Sequence, residues 1–138
     1  MVYTGYMANV TVKLTDIIVD CQDPEALADF WSSLLDLPVQ GRKGPYVWLA
    51  RTGGIGLGFQ RVREDKRGKN RVHIDVSGLG VAEVMHRIEQ LGGRRVGGYD
   101  EGGFLVMADL EGNEFCVVPE SLEFDDSGRT DYLDGLKL

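Results

Sequence analysis

The sequence predicts an α+β protein with tandem βαβββ modules that form a curved mixed sheet and enclose a cleft. A strand pattern, an amphipathic helix pattern and three short strand patterns follow one another. The same order of elements then occurs a second time. The chain has 138 residues, the length of a single domain. We therefore expect one domain over residues 1–138, with module one at about 11–62, module two at about 70–120 and a C-terminal tail at 121–138.

Module one begins with the stretch LTDIIVDC, whose β-branched residues favour a strand. Asp23 can cap the helix that follows, and Pro24 suits its first position. That helix has one apolar stripe, formed by Leu27, Phe30, Trp31, Leu34 and Leu35. Three strands follow at LPVQG, GPYVWLAR and GIGLGFQRV. The glycines of GGIGLG lead into a strand, so we interpret them as points of close backbone approach rather than a phosphate-binding loop.

Module two repeats this order after the charged linker REDKRGK. RVHIDV is its first strand, and GVAEVMHRIEQLGG is a helix that ends at glycine. The apolar face of this helix holds Val81, Val84, Met85, Ile88 and Leu91. Three further strands are expected at RRVGGYD, GGFLVMADL and NEFCVVPE. Asp16 of module one aligns with His73 of module two, so the chain contains an internal duplication.

Strand parity divides the side chains of each predicted sheet between two faces. The face covered by the helix should hold Ile17, Val19, Val47, Leu49, Leu57, Phe59, Val72, Ile74, Phe115 and Val117. The opposite, open face should hold Asp16, Ile18, Trp48, Gln60, His73, Asp75, Glu114 and Cys116. One helix covers only one side of a sheet, so we expect the second copy to face the open side and leave a cleft.

Composition and charge narrow the range of partners. The net charge of −7 and the pI near 4.8 argue against nucleic acid and anionic membranes. The two cysteines do not make a disulfide framework, and nothing resembles C-x-x-C metal spacing. We find no signal peptide and no apolar stretch long enough to span a membrane. We therefore expect a cytoplasmic protein whose partner is a small molecule.

Several stretches together resemble a known superfamily. The repeated βαβββ unit, DPEALADFWSSLLDL and MADLEGNEFCVV resemble the vicinal oxygen chelate superfamily. More narrowly, GLGFQRV, KNRVHIDV and EGNEFCVV resemble the glyoxalase-like proteins of the glyoxalase/bleomycin-resistance group over about residues 11–120. The resemblance implies the glyoxalase/bleomycin resistance/dioxygenase fold, a homodimer, and a cleft that holds a divalent metal in many members. Family activities range from lyase, epimerase and dioxygenase to drug sequestration, and the fold does not choose among them.

The resemblance also implies candidate metal ligands. Metal-using members carry one ligand in the first strand and another in the last strand of each module. His73 matches this pattern in module two, and Asp16 stands at the equivalent place in module one. The family glutamate position falls on Cys116, while Glu114 lies on the same face. A set of Asp16, His73 and Glu114 would suit Zn²⁺, Fe²⁺, Mn²⁺ or Ni²⁺, and a Cys/His pair would favour Zn²⁺.

We assign roles to these residues as hypotheses. His73 is the candidate catalytic base or metal ligand, and Glu114 is the second catalytic candidate. The candidates for substrate contact are Trp48, Gln60, Asp75 and Cys116. Simpler alternatives stand beside each role: His73 hydrogen-bonded without chemistry, Trp48 in the core, and Cys116 an inert buried thiol.

Two main functions follow from this assignment. The first is binding of a small oxygenated molecule in the inter-module cleft, with lyase or isomerase chemistry in which a metal polarises a substrate oxygen. The alternative is a non-catalytic binder of an antibiotic or metabolite, similar to a bleomycin-resistance protein without metal. An oligomeric scaffold without a ligand has the least support. Whether the modules pair within one chain or across two is left open.

Overall fold

The structure, a computed structural model, describes residues 10–99 and 104–119. Each half of the chain forms one strand, one helix and three further strands, which confirms the predicted α+β class and duplicated βαβββ order. Module one contains β1 (Asp16–Cys21), α1 (Pro24–Leu35), β2 (Val39–Lys43), β3 (Tyr46–Leu49) and β4 (Gly56–Arg61). Module two contains β5 (Asp75–Gly78), α2 (Val81–Gln90), β6 (Arg94–Tyr99), β7 (Phe104–Ala108) and β8 (Glu114–Pro119). The predicted tail at 121–138 lies outside the described residues.

The described strands form two separate four-stranded mixed sheets of identical topology. The strand orders are β1-β4-β3-β2 and β5-β8-β7-β6. In each sheet the first strand of the module pairs in parallel with the last, and the other pairs are antiparallel. The first strand of each module therefore lies at a sheet edge, where its open face and its unpaired backbone are accessible.

Helix α1 begins as its sequence predicts. The Asp23 carboxylate accepts a hydrogen bond of 3.1 Å from the Ala26 N–H, and proline occupies the first turn. At the other end Asp36 adopts a left-handed conformation (φ 55°), and its N–H donates to the Ser32 carbonyl. In the described ranges no helix is long and apolar enough to cross a membrane.

One hydrophobic core joins the two modules. It is centred on fully buried side chains of both, among them Leu27, Trp31, Phe59, Ile88, Met107, Phe115 and Val117. The rings of Trp31 and Phe115 meet edge to face with centroids 4.8 Å apart. Burying side chains of this size contributes roughly 1.5–3 kcal/mol each to the free energy of unfolding. The modules are therefore held together by the core that each helix covers.

The structure confirms most of the predicted helix-facing side chains and corrects two, Val72 and Ile17. Val47, Leu49, Phe59, Phe115 and Val117 are buried. Val19, Leu57 and Ile74 are partly buried and pack against this core.

Val72, predicted to face the helix, is instead 77% exposed, because β5 begins only at Asp75. Pairing with β8 starts at Asp75 and Cys116, so the preceding residues of RVHIDV lie outside the ladder. Ile17 is also poorly covered, with 36% of its surface exposed.

Candidate functional site

The predicted site residues fall into two regions of the molecule. A cavity of about 1120 Å³ lies between β1, the inter-module linker and the turn before β8, and is lined by His73 and Glu114. A groove of about 730 Å³ lies on the open face of the first sheet and is lined by Asp16 and Trp48. Gln60 follows in β4 on the same strand as the groove residues Gly56 and Gly58. The fold thus separates Asp16 from His73 and Glu114, which the sequence predicted as one set of metal ligands.

Three potential ligands converge where β5 pairs with β8. The Nε2 of His73 lies 3.2 Å from the Asp75 Oδ1. Within the described residues, His73, Asp75 and Cys116 form a group whose ligand atoms all lie within 4.8 Å of one another. The parallel register sets Asp75 directly opposite Cys116, and His73 lies two residues before Asp75. The strand pairing therefore explains why these three side chains meet.

The Cys116 thiol is buried on this face of the sheet. Burial raises its pKa to about 11, and the nearby Asp75 carboxylate acts in the same direction. At neutral pH the sulfur therefore keeps its proton, which makes it a poor nucleophile in the absence of a metal.

Glu114 anchors the linker between the modules. Its Oε2 accepts a hydrogen bond of 2.7 Å from the Asn70 N–H, and its Oε1 lies 3.0 Å from the Lys66 Nζ. Burial acts to raise the pKa of Glu114, but the hydrogen bond from Asn70 and the partner Lys66 outweigh it and lower the pKa. The carboxylate is therefore ionised and already paired, and its catalytic role stays a prediction.

Asp16 forms an ion pair with an arginine that the sequence reading did not single out. The Arg51 Nη2 lies 2.9 Å from the Asp16 Oδ1, and its Nη1 donates to the Thr15 carbonyl at 2.6 Å. Hydrogen bonding with the Thr15 side chain, followed by the Arg51 guanidinium, holds the pKa of Asp16 below its ordinary value. The pair lies over Gly56, where an added Cβ would come within 2.3 Å of the Asp16 carboxylate.

A partly exposed apolar surface lies beside this ion pair. We call it the aromatic shelf, defined as Ile18, Tyr46 and Trp48 with the glycines Gly41 and Gly58 beneath them. The three side chains are 45%, 40% and 38% exposed. A Cβ at Gly41 would lie 2.3 Å from the Trp48 ring, and one at Gly58 would lie 3.0 Å from Ile18. Both glycines thus permit close packing, which the sequence predicted for Gly58 and not for Gly41. Trp48 lies outside the core.

A brace between the modules was not foreseen from the sequence. Asp109 is 4% exposed, and its carboxylate accepts hydrogen bonds from the Glu111 and Asn113 N–H groups and from the Trp31 indole. The Glu111 carboxylate in turn accepts from the Gln22 and Asp23 N–H groups at 2.7 and 2.8 Å. The available signal was the turn sequence ADLEGN, in which Asp and Gly are typical turn residues.

The metal set predicted from the resemblance is divided between two places in the structure. Asp16 lines the groove of the first sheet, whereas His73 and Glu114 line the other cavity. Asp16 and Glu114 are engaged by Arg51, Lys66 and the Asn70 N–H. The donors that do converge are those of His73, Asp75 and Cys116, a nitrogen, oxygen and sulfur set that fits Zn²⁺.

Comparisons with known proteins agree with this fold. The family model for the glyoxalase-like domain matches residues 16–118. A search of the curated proteins returned no match.

Solved structures with the same fold include three whose names bear on the family. A glyoxalase/bleomycin resistance protein/dioxygenase family enzyme from Burkholderia phytofirmans PsJN is 15% identical, with a TM-score of 0.68 over 78% of this chain and 98% of that one. A possible glyoxalase from Bacillus cereus is 14% identical, with a TM-score of 0.64 over 78% and 99%.

The third is a mutant of the fosfomycin resistance protein FosX from Listeria monocytogenes, complexed with Mn(II) and 1S,2S-dihydroxypropylphosphonic acid. It is 16% identical, with a TM-score of 0.63 over 79% of this chain and 90% of that one. At these identities the likeness shows the fold, and the family assignment comes from the domain match. The chain belongs to the family of glyoxalase-like domains in the vicinal oxygen chelate superfamily.

Proposed function

We propose that this glyoxalase-like protein binds a small oxygenated organic molecule on the aromatic shelf of module one. The observation that supports this most directly is the partial exposure of Trp48, Tyr46 and Ile18 along a groove of about 730 Å³. That volume is within the usual range for small-molecule sites, which combine an apolar floor with a few polar groups. A planar or partly apolar ligand would stack on Trp48.

The polar groups of the groove favour a ligand with oxygen acceptors. Arg51, Lys43 and Gln40 line it together with the aromatic residues. An arginine has five N–H donors, so the Arg51 guanidinium that contacts Asp16 and Thr15 can also donate to a ligand oxygen.

The net charge of the chain, −7, opposes an anionic ligand only weakly at the groove. At physiological ionic strength exposed charges are screened beyond about 8 Å, whereas Arg51 would act at contact distance. The hydrogen-bond donors of the groove therefore decide which ligand it selects. We expect a ligand with carboxylate, carbonyl or phenolate oxygens rather than a cation.

A second function, lyase or isomerase chemistry, is favoured by the contact between His73 and Asp75. A carboxylate 3.2 Å from the imidazole fixes the orientation of the ring, as a general base requires. A bound divalent metal would add polarisation of a substrate oxygen. For this chemistry the open face of module two must meet a ligand on the shelf of module one. We propose that a homodimer brings these two surfaces together.

The alternative without chemistry is sequestration of an antibiotic or metabolite on the same shelf. It needs the aromatic surface and Arg51 but not His73. The cytoplasmic location expected from the sequence remains a prediction with either function.

The shelf is tested by measuring binding of a panel of small aromatic carboxylates and 1,2-dicarbonyl compounds by calorimetry. We expect at least one panel member to bind, and Trp48→Ala to weaken its binding about 10-fold or more, because stacking and apolar burial are both lost. Val96→Ala is the matched control, since Val96 is a similarly exposed apolar residue of module two. Equal affinities of the Trp48→Ala and wild-type proteins would contradict the proposed site.

The two functions are separated by following the chemical fate of a bound panel compound. If His73 acts as a base, His73→Gln should abolish conversion of the compound while its affinity stays within about twofold. If no panel compound that binds is converted by the wild-type protein, sequestration is the function that remains.

A further inference from the structure

The open face of the first sheet carries its residues in three rows that cross the strands. Directly opposite residues share a face of the sheet, and rows two residues apart along the strands are separated by about 6.6 Å. The first row runs through Asp16 and Gly56. The second joins Ile18, Gly58, Trp48 and Gly41, and the third joins Asp20, Gln60, Tyr46 and Lys43. The apolar middle row therefore lies between two rows that hold charged residues.

The Arg51 guanidinium lies over the first row. Its Nη2 is 2.9 Å from the Asp16 Oδ1, and a Cβ built on Gly56 would lie 3.3 Å from its Nη1. The guanidinium keeps N–H donors beyond those that contact Asp16 and the Thr15 carbonyl. This end of the groove can therefore hold one anionic group of a ligand.

Lys43 lies at the opposite end of the groove, in the third row. Its neighbour Arg42 pairs with Glu25 of α1 on the helix-covered face, so the alternation of β2 places Lys43 on the open face beside Tyr46. Among the residues that the structure describes, Lys43 is exposed and has no ion-pair or hydrogen-bond partner. Its ammonium is therefore a free positive charge at the edge of an apolar surface.

The two cations are too far apart to contact one acidic group. Four residues along β4 separate Gly56 from Gln60 by about 13 Å, and Lys43 lies two strands beyond Gln60, at about 9.6 Å. The Lys43 Cα is thus roughly 16 Å from Gly56, and its four-carbon stem can bring the ammonium back by about 6 Å. A shared anion would need the two cations within about 6 Å of each other, twice the length of a charge-assisted hydrogen bond. The groove therefore offers two separate anion positions, with Trp48 and Ile18 between them.

We propose that the aromatic shelf selects an aromatic dicarboxylate, whose flat body lies on Trp48 while one carboxylate binds Arg51 and the other binds Lys43. Such selection requires that the shelf binds a ligand, and it therefore rests on the proposed function. The exposed carboxylate of Asp20 repels an anion at the β1 end of the third row and so favours the Lys43 end.

The separation of the cations also sets the length of the ligand. Contacts of about 2.8 Å at each end leave roughly 5–10 Å between the two carboxylates. Two carboxylates at opposite ends of a fused two-ring system meet this requirement, whereas two carboxylates on adjacent ring carbons do not.

The test compares naphthalene-2,6-dicarboxylate with 2-naphthoate by calorimetry on the full-length protein. The compounds share one aromatic body and differ by one carboxylate. We expect the dicarboxylate to bind about 3- to 10-fold more tightly, a modest gain because both cations are partly exposed to solvent. Benzene-1,2-dicarboxylate should show no such gain over benzoate. Added salt should reduce the gain, because exposed charges are screened.

Lys43→Gln should lower the affinity for the dicarboxylate to that for 2-naphthoate, and should leave the 2-naphthoate affinity within about twofold. Lys43→Arg should keep most of the gain, because it keeps the charge. Arg42→Gln is the matched control, since it removes the same charge from the neighbouring residue on the other face of the sheet. It should leave both affinities unchanged. Circular dichroism verifies that each variant is folded.

Failure of this selection is distinguishable from failure of the shelf. If 2-naphthoate binds and Trp48→Ala weakens its binding, but the dicarboxylate binds no more tightly, the shelf is a binding site and the selection of two anionic groups is wrong. The selection is also wrong if Lys43→Gln and Arg42→Gln weaken dicarboxylate binding equally, or if neither naphthyl compound binds while another panel compound does. If no panel compound binds, the proposed function is wrong and the selection fails with it.

Discussion

The two modules have the same topology but carry different chemistry at equivalent positions. In the first sheet Ile18 is opposite Gly58, and in the second sheet the equivalent pair is Asp75 and Cys116. A glycine in module one leaves room for an apolar side chain and an aromatic shelf, whereas in module two a buried cysteine lies opposite a carboxylate. The comparison shows that a duplicated scaffold can specialise through side chains on its open face while its helix-covered core stays apolar.

The starting points of the two first strands differ as well. Strand β1 begins at Asp16, and the aligned residue His73 lies two residues before β5. Asp16 is therefore within a ladder and paired with Arg51, while His73 is freer to turn toward Asp75. A shift of two residues in the onset of pairing changes which neighbours a titratable side chain meets.

The largest expected effect tests whether the modules are independent. Phe115→Ala should lower the free energy of unfolding by about 3–5 kcal/mol, because Phe115 is fully buried and contacts Trp31 of the other module. Urea denaturation followed by Trp fluorescence and by circular dichroism should give one coincident transition. Two separate transitions would show that the modules do not share a cooperative core.

The next effect concerns the brace at Asp109. Asp109→Asn should cost about 1–3 kcal/mol, because the amide keeps one acceptor oxygen for the two backbone N–H groups but offers none to the Trp31 indole. Denaturation of the variant at neutral pH measures this cost. A variant as stable as the wild type would show that the hydrogen bonds of Asp109 do not help to hold the two modules together.

The pH dependence of this brace has a defined sign. Burial raises the pKa of Asp109 in the folded protein above its ordinary value of 3.8, although its hydrogen bonds oppose the shift. Protonation of Asp109 therefore favours the folded state. This stabilisation is fully present below the ordinary pKa and is lost as the pH rises through the raised pKa. The stability of the wild type relative to Asp109→Asn should be larger near pH 4 than at pH 7, as measured by denaturation at both values.

A matched pair of glycines sharpens the comparison between the open faces. Gly41 and Gly97 both follow a register shift, in β2 and β6 respectively. A Cβ at Gly41 would meet the Trp48 ring at 2.3 Å, but a Cβ at Gly97 would meet nothing within 4 Å.

Gly41→Ala should therefore displace the indole, alter Trp48 emission and weaken binding of a panel ligand several-fold, with a loss of about 1–3 kcal/mol in stability. Gly97→Ala should leave emission and binding unchanged. The same response in both variants would mean that the shelf does not depend on close packing over Gly41.

The last comparison is between two exposed arginines of module one. Arg51 pairs with Asp16 in the groove, and Arg42 pairs with Glu25 at 2.7 Å outside the groove lining. Arg51→Gln should weaken binding of a carboxylate by about 10-fold, the amount that a charge-assisted hydrogen bond supplies. Arg42→Gln should leave the affinity unchanged in the same calorimetric titration. Equal losses would indicate an effect of net charge rather than of a specific contact.

Local patterns determined much of this protein from its sequence. Helix periodicity, the Asp23 cap and strand alternation depend on neighbouring residues, and they predicted the order of the elements, the duplication and most of the buried side chains. The glycines of GGIGLG indicated close approach, which holds at Gly56 and Gly58. Gly53 and Gly54 instead have open space around them and adopt positive φ. The resemblance of several stretches placed the fold, and His73 was recognised by its position in the repeat.

The tertiary structure decided which polar groups meet. The pairing of Asp16 with Arg51, the anchoring of Glu114 by Lys66 and the brace at Asp109 all join residues far apart in the chain. Such contacts depend on strand register and side-chain rotamers, which no local pattern specifies. The same reason explains Val72, whose alternation predicted burial although the β5 ladder begins after it. The sequence thus defined the scaffold, and the register of two parallel strand pairs defined the candidate sites.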